Sequence, residues 1–475
     1  MTVSRPAFFG AIASGPIGNL LRSMRRVDGA ALRVIAAFGL LLALPSTTSI
    51  TIASSLEGVA SCAGSTCHGR AEGNGAVVRQ DEIATWQEPS SASGAHSRAY
   101  AVLAGRRGQQ IARSLGLGNA TQAKDCLGCH ATYMPGVERG AKFQLSDGVG
   151  CESCHGPAGD AWLSSHCAVP ATHASNVSDG LIPLSDPKVR ANVCLDCHYG
   201  STKPGQFVTH EMMAAGHPRV SFELDLFSAL QQHHDIDADY KRRKRAPNAV
   251  RFWAVGQAEA VKRATGLFAN PKYAMEGIFP QYYFFDCHSC HREIQDSNQR
   301  RLTFEENPGR PIPFGNAPFN DESIIMLSAV AGALVPGQAD AFKKASRDFH
   351  GALGGSGASP REAAMQLSQR AGALSNALSQ RAYANSDAFK VIDIIGSNAL
   401  RPRFTDYSGS VQAVMAVDTL LNGLVTSGRV TPGAAASIRS SINKAYAAVE
   451  EPNSYNPADF RTALASALAS IKRLR

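Results

Sequence analysis

No cysteine stands before Cys62 and none after Cys290, so all eleven fall within less than half of the 475-residue chain and their chemistry belongs to one region. Aromatic residues are scarce at 7%, against 43 glycines and 24 prolines. A loop-rich segment short of large rings needs another filler for its interior, and a bound cofactor would supply one. Long apolar runs are equally rare. After "VIAAFGLLLALP", Val34 to Pro45, nothing is long and apolar enough to resemble a membrane span. Hydrophobic residues still reach 44%, and a chain of this length suggests about two to four domains with real cores.

The early apolar run follows Arg22, Arg25 and Arg26 and precedes the small residues of "SITIASS". This order predicts an exported protein with a signal peptide over 1–53, cleaved near Ala53, and a periplasmic location. The stretch ahead of Met24 is long for such a leader, which places the expected true start at Met24. An uncleaved anchor is the alternative.

Ten of the eleven cysteines form five pairs, each closed by a histidine. They read "CAGSTCH" (Cys62, Cys67, His68), "CLGCH" (Cys126, Cys129, His130), "CESCH" (Cys151, Cys154, His155), "CLDCH" (Cys194, Cys197, His198) and "CHSCH" (Cys287, Cys290, His291). Four follow C-x-x-C-H, the attachment signature of c-type haem, and the first is stretched by two residues. The spacing suits that chemistry: the two thiols and the imidazole share one side of a helical turn, so two thioether bonds and one iron ligand come from one face. Zinc could pair such motifs, but it does not require a histidine after every second cysteine. Disulfides suit an exported chain, yet a two-residue loop is tight and the histidines would be left unexplained. Five covalently attached haems c are therefore expected.

Six-coordinate irons need a second ligand each, and nine further histidines are present. His96 sits in "GAHSRAYAVLAG", where Ala95, Ala99, Val102 and Leu103 recur at helical spacing, so it is expected to project from a helix. His166 follows Gly156, Pro157 and Gly159, which turn the chain back after the third motif toward its own haem or a neighbour. His210 and His217, in "VTHEMMAAGHPR", are two helical turns apart and are expected to serve two haems from one helix that Pro218 ends. His234 in "ALQQHHDID" completes the expected set, with His233 its direct rival. His288 is expected to contact solvent or a propionate, His173 to lie in a loop, His350 on a helix surface, and Cys167 to be a free thiol with no catalytic partner.

Taken together, "CAGSTCHG", "CLGCHAT", "DGVGCESCHGPAG" followed by "WLSSH", "MAAGHPR" with "FEL", and "FFDCHSCH" resemble exported multihaem cytochromes c of the cytochrome c-554-like group. The resemblance covers roughly residues 58 to 305. Its wider circle includes the tetrahaem carrier of nitrifying bacteria, hydroxylamine oxidoreductase and pentahaem nitrite reductase, so it implies haem binding but spans carriers and enzymes. It supports His96, His166, His210 and His217 as distal ligands. At "QQHHD" the chain departs from relatives, which tend to place one histidine before an aromatic residue.

Pro-rich "NPGRPIPFGNAPFN" reads as a linker over 307–320, separating a pentahaem domain (54–306) from a region (321–475) whose apolar periodicity marks about six helices. The expected fold is mainly α: an irregular multihaem cytochrome c domain with little sheet, followed by an Ala-rich helical bundle that covers haem edges or serves docking. The formal charge of +8 includes Arg5, Arg22, Arg25, Arg26 and Arg33 against Asp28 in the leader, leaving about +4, which the haem propionates would reverse. The run "KRRKR", Lys241 to Arg245, reads as a solvated loop or as a docking patch for an acidic redox partner. Nucleic acid does not fit an exported haem protein. The sequence thus predicts a periplasmic cytochrome that passes electrons between redox proteins through bis-histidine haems. Two alternatives remain: an oxidoreductase acting on small nitrogen or sulfur compounds at a five-coordinate haem, and an electron-transfer subunit attached peripherally to a membrane complex.

Overall fold

In a computed structural model the chain is described over residues 54–73, 79–159, 162–168, 171–219, 221–236, 238–243, 247–291, 309–312, 316–355, 357, 359–384, 386–401 and 406–475. The expected leader (1–53) lies outside the described residues, as do Lys244 and Arg245 of the basic run. Lys241 and Arg242 are exposed near the end of the helix Ala238–Arg243. The fold is mainly helical, 61% helix against 2% strand.

Up to Ala249 the helices are short and the path between them irregular. The cysteine motifs close helical turns. Lys124–His130, Cys151–His155 and Pro187–His198 each end on the motif histidine. The third starts where Pro187 sits at the first helical position and the Asp186 side chain accepts from the Lys188 N–H, a normal helix opening. After His155 the chain turns away through Gly156 at φ 88°, a conformation that favours glycine. Gly128, inside the second motif, lets the backbone of Gly205 approach so closely that a Cβ would stand 2.4 Å from the Gly205 carbonyl oxygen. The strands among the described residues are Met275–Glu276 and Phe279–Pro280, paired antiparallel.

From Glu322 onward seven α-helices follow one another among the described residues, where the periodicity suggested about six. Local signals place their starts. Ser359 and Glu362 form a reciprocal capping box ahead of Pro360–Gln380. Pro457 opens Pro457–Lys472 behind the Asn456 cap. Their apolar faces bury Leu327, Phe342, Leu367, Leu420 and Phe460 completely.

This core does not stop where the cysteines stop. The helix Ala249–Ala269, which precedes the Pro-rich stretch in sequence, buries Trp253, Val255 and Ala258 in the same cluster and packs along Pro360–Gln380. Phe319, inside the Pro-rich stretch, is fully buried, stacked on Phe284 and edge-on to Phe268 and Phe349. Burial of such a ring is worth about 2 kcal/mol, so these contacts tie the cysteine-rich segment to the bundle. Among the described residues no helix is long and apolar enough to cross a membrane.

Candidate functional site

Every motif histidine faces a second histidine. Ring centres stand 6.2 Å apart for His68 and His166, 6.2 Å for His96 and His198, 6.2 Å for His130 and His217, and 6.3 Å for His210 and His291. His155 faces two rings, His233 at 6.3 Å and His234 at 6.2 Å. An imidazole nitrogen binds a first-row metal at about 2 Å and the ring centre lies about 1 Å behind it, so two rings across one ion stand about 6 Å apart. All ten histidines expected as ligands thus occur in facing pairs, with His233 as an eleventh at the same separation. Ring distance does not separate His233 from His234: their centres are 4.3 Å apart, and both can bring a nitrogen within 4.8 Å of one on His155.

The partners are not those nearest in sequence. His166 lies opposite His68 of the first motif rather than returning to the third. His210 and His217 do serve two different motifs, but not from one helix. The helix His210–Ala214 ends before Gly216, whose φ of 110° breaks the helical path, and His217 lies beyond it. The breaker is therefore Gly216 rather than Pro218. His96 similarly sits in the turn before the helix Ala99–Ala104, not on it.

Backbone carbonyls orient four of these rings. The Nδ1 of His130 bonds Ala99 O at 2.8 Å, that of His166 Leu163 O at 2.6 Å, that of His217 Pro218 O at 2.7 Å and that of His233 Gln231 O at 2.8 Å. With Nδ1 held, Nε2 is the nitrogen left to meet a metal. Burial keeps several rings neutral, the form that ligates: His155 is pushed down to about 3 by burial and by the nearby His234 and His233, and His198 to about 4 by burial and His96.

The stretched first motif keeps the geometry of the others. His68 N donates to Cys62 O at 3.1 Å, as His291 N donates to Cys287 O at 2.7 Å, and the extra residues loop out where Cys67 N bonds Gly64 O. Thiols from different motifs also lie near one another, Cys62 beside Cys151 and Cys129 beside Cys197. Cys154 is near enough to Cys197 and Cys194 for their charges to interact. Burial raises the thiols of Cys154 and Cys194, to about 11 and about 12. Tyr283 lies within electrostatic reach of both Cys129 and Cys287. A single cavity of about 1950 Å³ runs past His68, His130, His155 and His198 and the rings that face them.

Two carboxylates that sequence reading passed over organise the site. Glu152, between the cysteines of the third motif, is 3% exposed and accepts from the N–H groups of Glu57, Gly58 and Ala158, pinning residues 57–58 to the motif. Glu82 is 5% exposed and accepts from His68 Nδ1 at 2.9 Å. Burial alone would raise its carboxyl, but hydrogen bonds from His234 and His68 outweigh that and hold it below the usual carboxylate range. Glu82, beside Asp81 in "QDEIATW", carries no periodicity or spacing that would reveal its two histidine contacts.

The remaining histidines have other surroundings. His173 opens the helix His173–Ser178, and His288 bonds Pro452 O through Nδ1 and packs edge-on to Tyr455. His350, expected on a helix surface, is instead 1% exposed and held between Ser346 O and the Asp321 carboxylate. The helix Pro336–Leu353 turns that face inward, and an acid on the neighbouring helix start satisfies the ring. Cys167 is exposed, with Sγ 3.5 Å from His166 Nε2.

Comparison with curated proteins and with solved structures gives no match to this chain. Residues 61–156, which span the first three motifs together with His96, match the family model described as Cytochrome c554 and c-prime. This part of the chain is a cytochrome c554-type domain, a family whose chemistry is electron transfer by covalently attached haem c.

Proposed function

We propose that the protein is an exported pentahaem c-type cytochrome that relays electrons between redox proteins. The carrying observation is the set of facing histidines at 6.2–6.3 Å, one for each cysteine pair. The residues suit haem on independent grounds. Each motif offers two thiols and an imidazole, backbone carbonyls hold Nδ1 of the opposing rings His166, His217 and His233, burial favours the neutral form of His155 and His198, and the cavity joins four of the sites. Cys62, Cys67, Cys126, Cys129, Cys151, Cys154, Cys194, Cys197, Cys287 and Cys290 would hold the five porphyrins. His68, His130, His155, His198 and His291 would be the proximal ligands. His96, His166, His210, His217 and one of the 233–234 pair would be the distal ones. The haem iron supplies one-electron chemistry when bound.

The chain's own part is to keep the sites close, dry and in order. The proximity of Cys62 to Cys151, of Cys154 to Cys197, and of Cys197 to Cys129 supports a series in which the first motif neighbours the third, the third the fourth and the fourth the second. The fifth follows through Tyr283 and through the segment that carries both His210 and His217. Arg190, in the cavity wall and stacked over Phe252, offers positive charge to a propionate. With two protein ligands on every iron no coordination position is open to a substrate, which favours relay over turnover. The test is the spin state of the oxidised, exported protein. A wholly low-spin spectrum that cyanide leaves unchanged is expected, and a stoichiometric high-spin haem that binds cyanide would replace the relay with a catalytic centre.

A further inference from the structure

We infer that Glu82 is a positioning residue shared by two metal centres, fixing His68 as ligand of the first and engaging Nδ1 of His234 so that His233 serves the third. The inference rests on the haem reading above. Glu82 Oε2 lies 2.9 Å from His68 Nδ1, and Oε1 lies 3.5 Å from His234 Nδ1 and 3.2 Å from the Gln80 N–H that donates to it. One buried carboxylate therefore touches histidines that face different motifs, His68 in the first and His234 opposite the third.

The contrast with the other rings gives this contact its meaning. Among the rings that stand opposite a motif histidine, His166, His217 and His233 turn Nδ1 to a peptide carbonyl. His233 follows that pattern and His234 does not: its Nδ1 faces the carboxylate, and its side chain is 45% exposed. Because the two rings are 4.3 Å apart, both cannot occupy one axial position, and His233 is the one oriented like the opposing rings His166 and His217. His233 thus takes the place expected of His234.

The same carboxylate acts on the first centre through His68. A carboxylate acceptor draws the Nδ1 proton more strongly than a peptide carbonyl, making the imidazole a better donor and stabilising the ferric state. The first haem is accordingly held at a lower potential than the second, whose His130 has a carbonyl partner.

The experiment uses the full haem-loaded protein and its Glu82→Gln, Glu82→Asp, His233→Ala and His234→Ala variants. Haem is counted by mass spectrometry, and each centre is followed by redox titration with electron paramagnetic resonance. Glu82→Gln is expected to keep five haems and to lower the oxidised-to-reduced ratio of one centre about tenfold at fixed potential, equivalent to about 59 mV for one electron. Glu82→Asp, which keeps the charge, should recover at least half of that shift. His233→Ala should turn one haem high-spin, and His234→Ala should leave all low-spin. A five-haem Glu82→Gln protein with unmoved potentials, or a high-spin haem in His234→Ala rather than His233→Ala, overturns the inference while leaving the haem reading intact. An unsubstituted protein without covalent haem overturns both.

Discussion

The imidazoles of His68 and His166 lie almost parallel, 9° apart in plane with centres separated by 6.2 Å. The other facing pairs are rotated: 71° for His96 and His198, 87° for His130 and His217, 84° for His155 with either partner, and 43° for His210 and His291. Parallel axial rings split the iron π orbitals and crossed rings leave them nearly degenerate, so the orientation of each pair is readable in the oxidised protein. The expected paramagnetic resonance spectrum has one rhombic low-spin signal from the first centre, three strongly anisotropic signals with large maximal g, and one intermediate signal. Five equivalent rhombic signals would contradict the geometry.

Haem count tests the stretched motif. The His68 N–H to Cys62 O bond closes "CAGSTCH" as its shorter equivalent closes the fifth motif, so both thiols should be bound despite the longer spacer. Mass spectrometry of a digest is expected to find one haem across Cys62 and Cys67 and five in the intact protein. A Cys62 that is free to alkylate would remove the first site as assigned.

What could be read from sequence and what could not follows from the range of the interactions. Cysteine pairs with their histidines, the Ser359–Glu362 capping box and proline at helix starts are local, and a few residues specify them. The facing of His166 with His68, the reach of Glu82 to two rings and the packing of Ala249–Ala269 along Pro360–Gln380 join residues far apart in the chain, and no periodicity encodes such pairs. His210 and His217 misled because their seven-residue spacing fits a helix, while the decisive signal was Gly216 between them. His350 misled because a polar residue on a helix is usually solvated, whereas here Asp321 pays its desolvation.

His350→Ala should destabilise the bundle by about 3 kcal/mol, because it leaves part of a fully buried carboxylate unpaired, though Arg310 still pairs with Asp321. Loss of helical signal in denaturant should show a lower midpoint at an unchanged slope. Haem content should be unaffected, since the ring bonds Ser346 and Asp321 rather than a cysteine motif. A midpoint equal to that of the unsubstituted protein would mean that water or rearrangement satisfies Asp321.

Glu223 makes stability depend on pH with a definite sign. It is 0% exposed and caps the helix Leu224–Leu230, accepting from the N–H groups of Asp225 and Leu226 at 2.9 Å and 2.6 Å. Burial, with the charge of Asp225, raises its carboxyl from 4.5 to about 8 despite those donors. Between these two values the folded chain holds a proton that the unfolded chain has released, so stability is full below pH 4.5 and declines as pH rises toward 8. Asp225, raised from 3.8 to about 6, adds a decline of the same sign at lower pH. Over the whole interval the loss attributable to Glu223 is on the order of a few kcal/mol. Glu223→Gln keeps a side-chain acceptor for the cap but has no proton to lose. Urea unfolding from pH 5 to 8 should therefore show a steep fall for the unsubstituted protein and a shallower one for the variant. Parallel curves would place the pH dependence elsewhere.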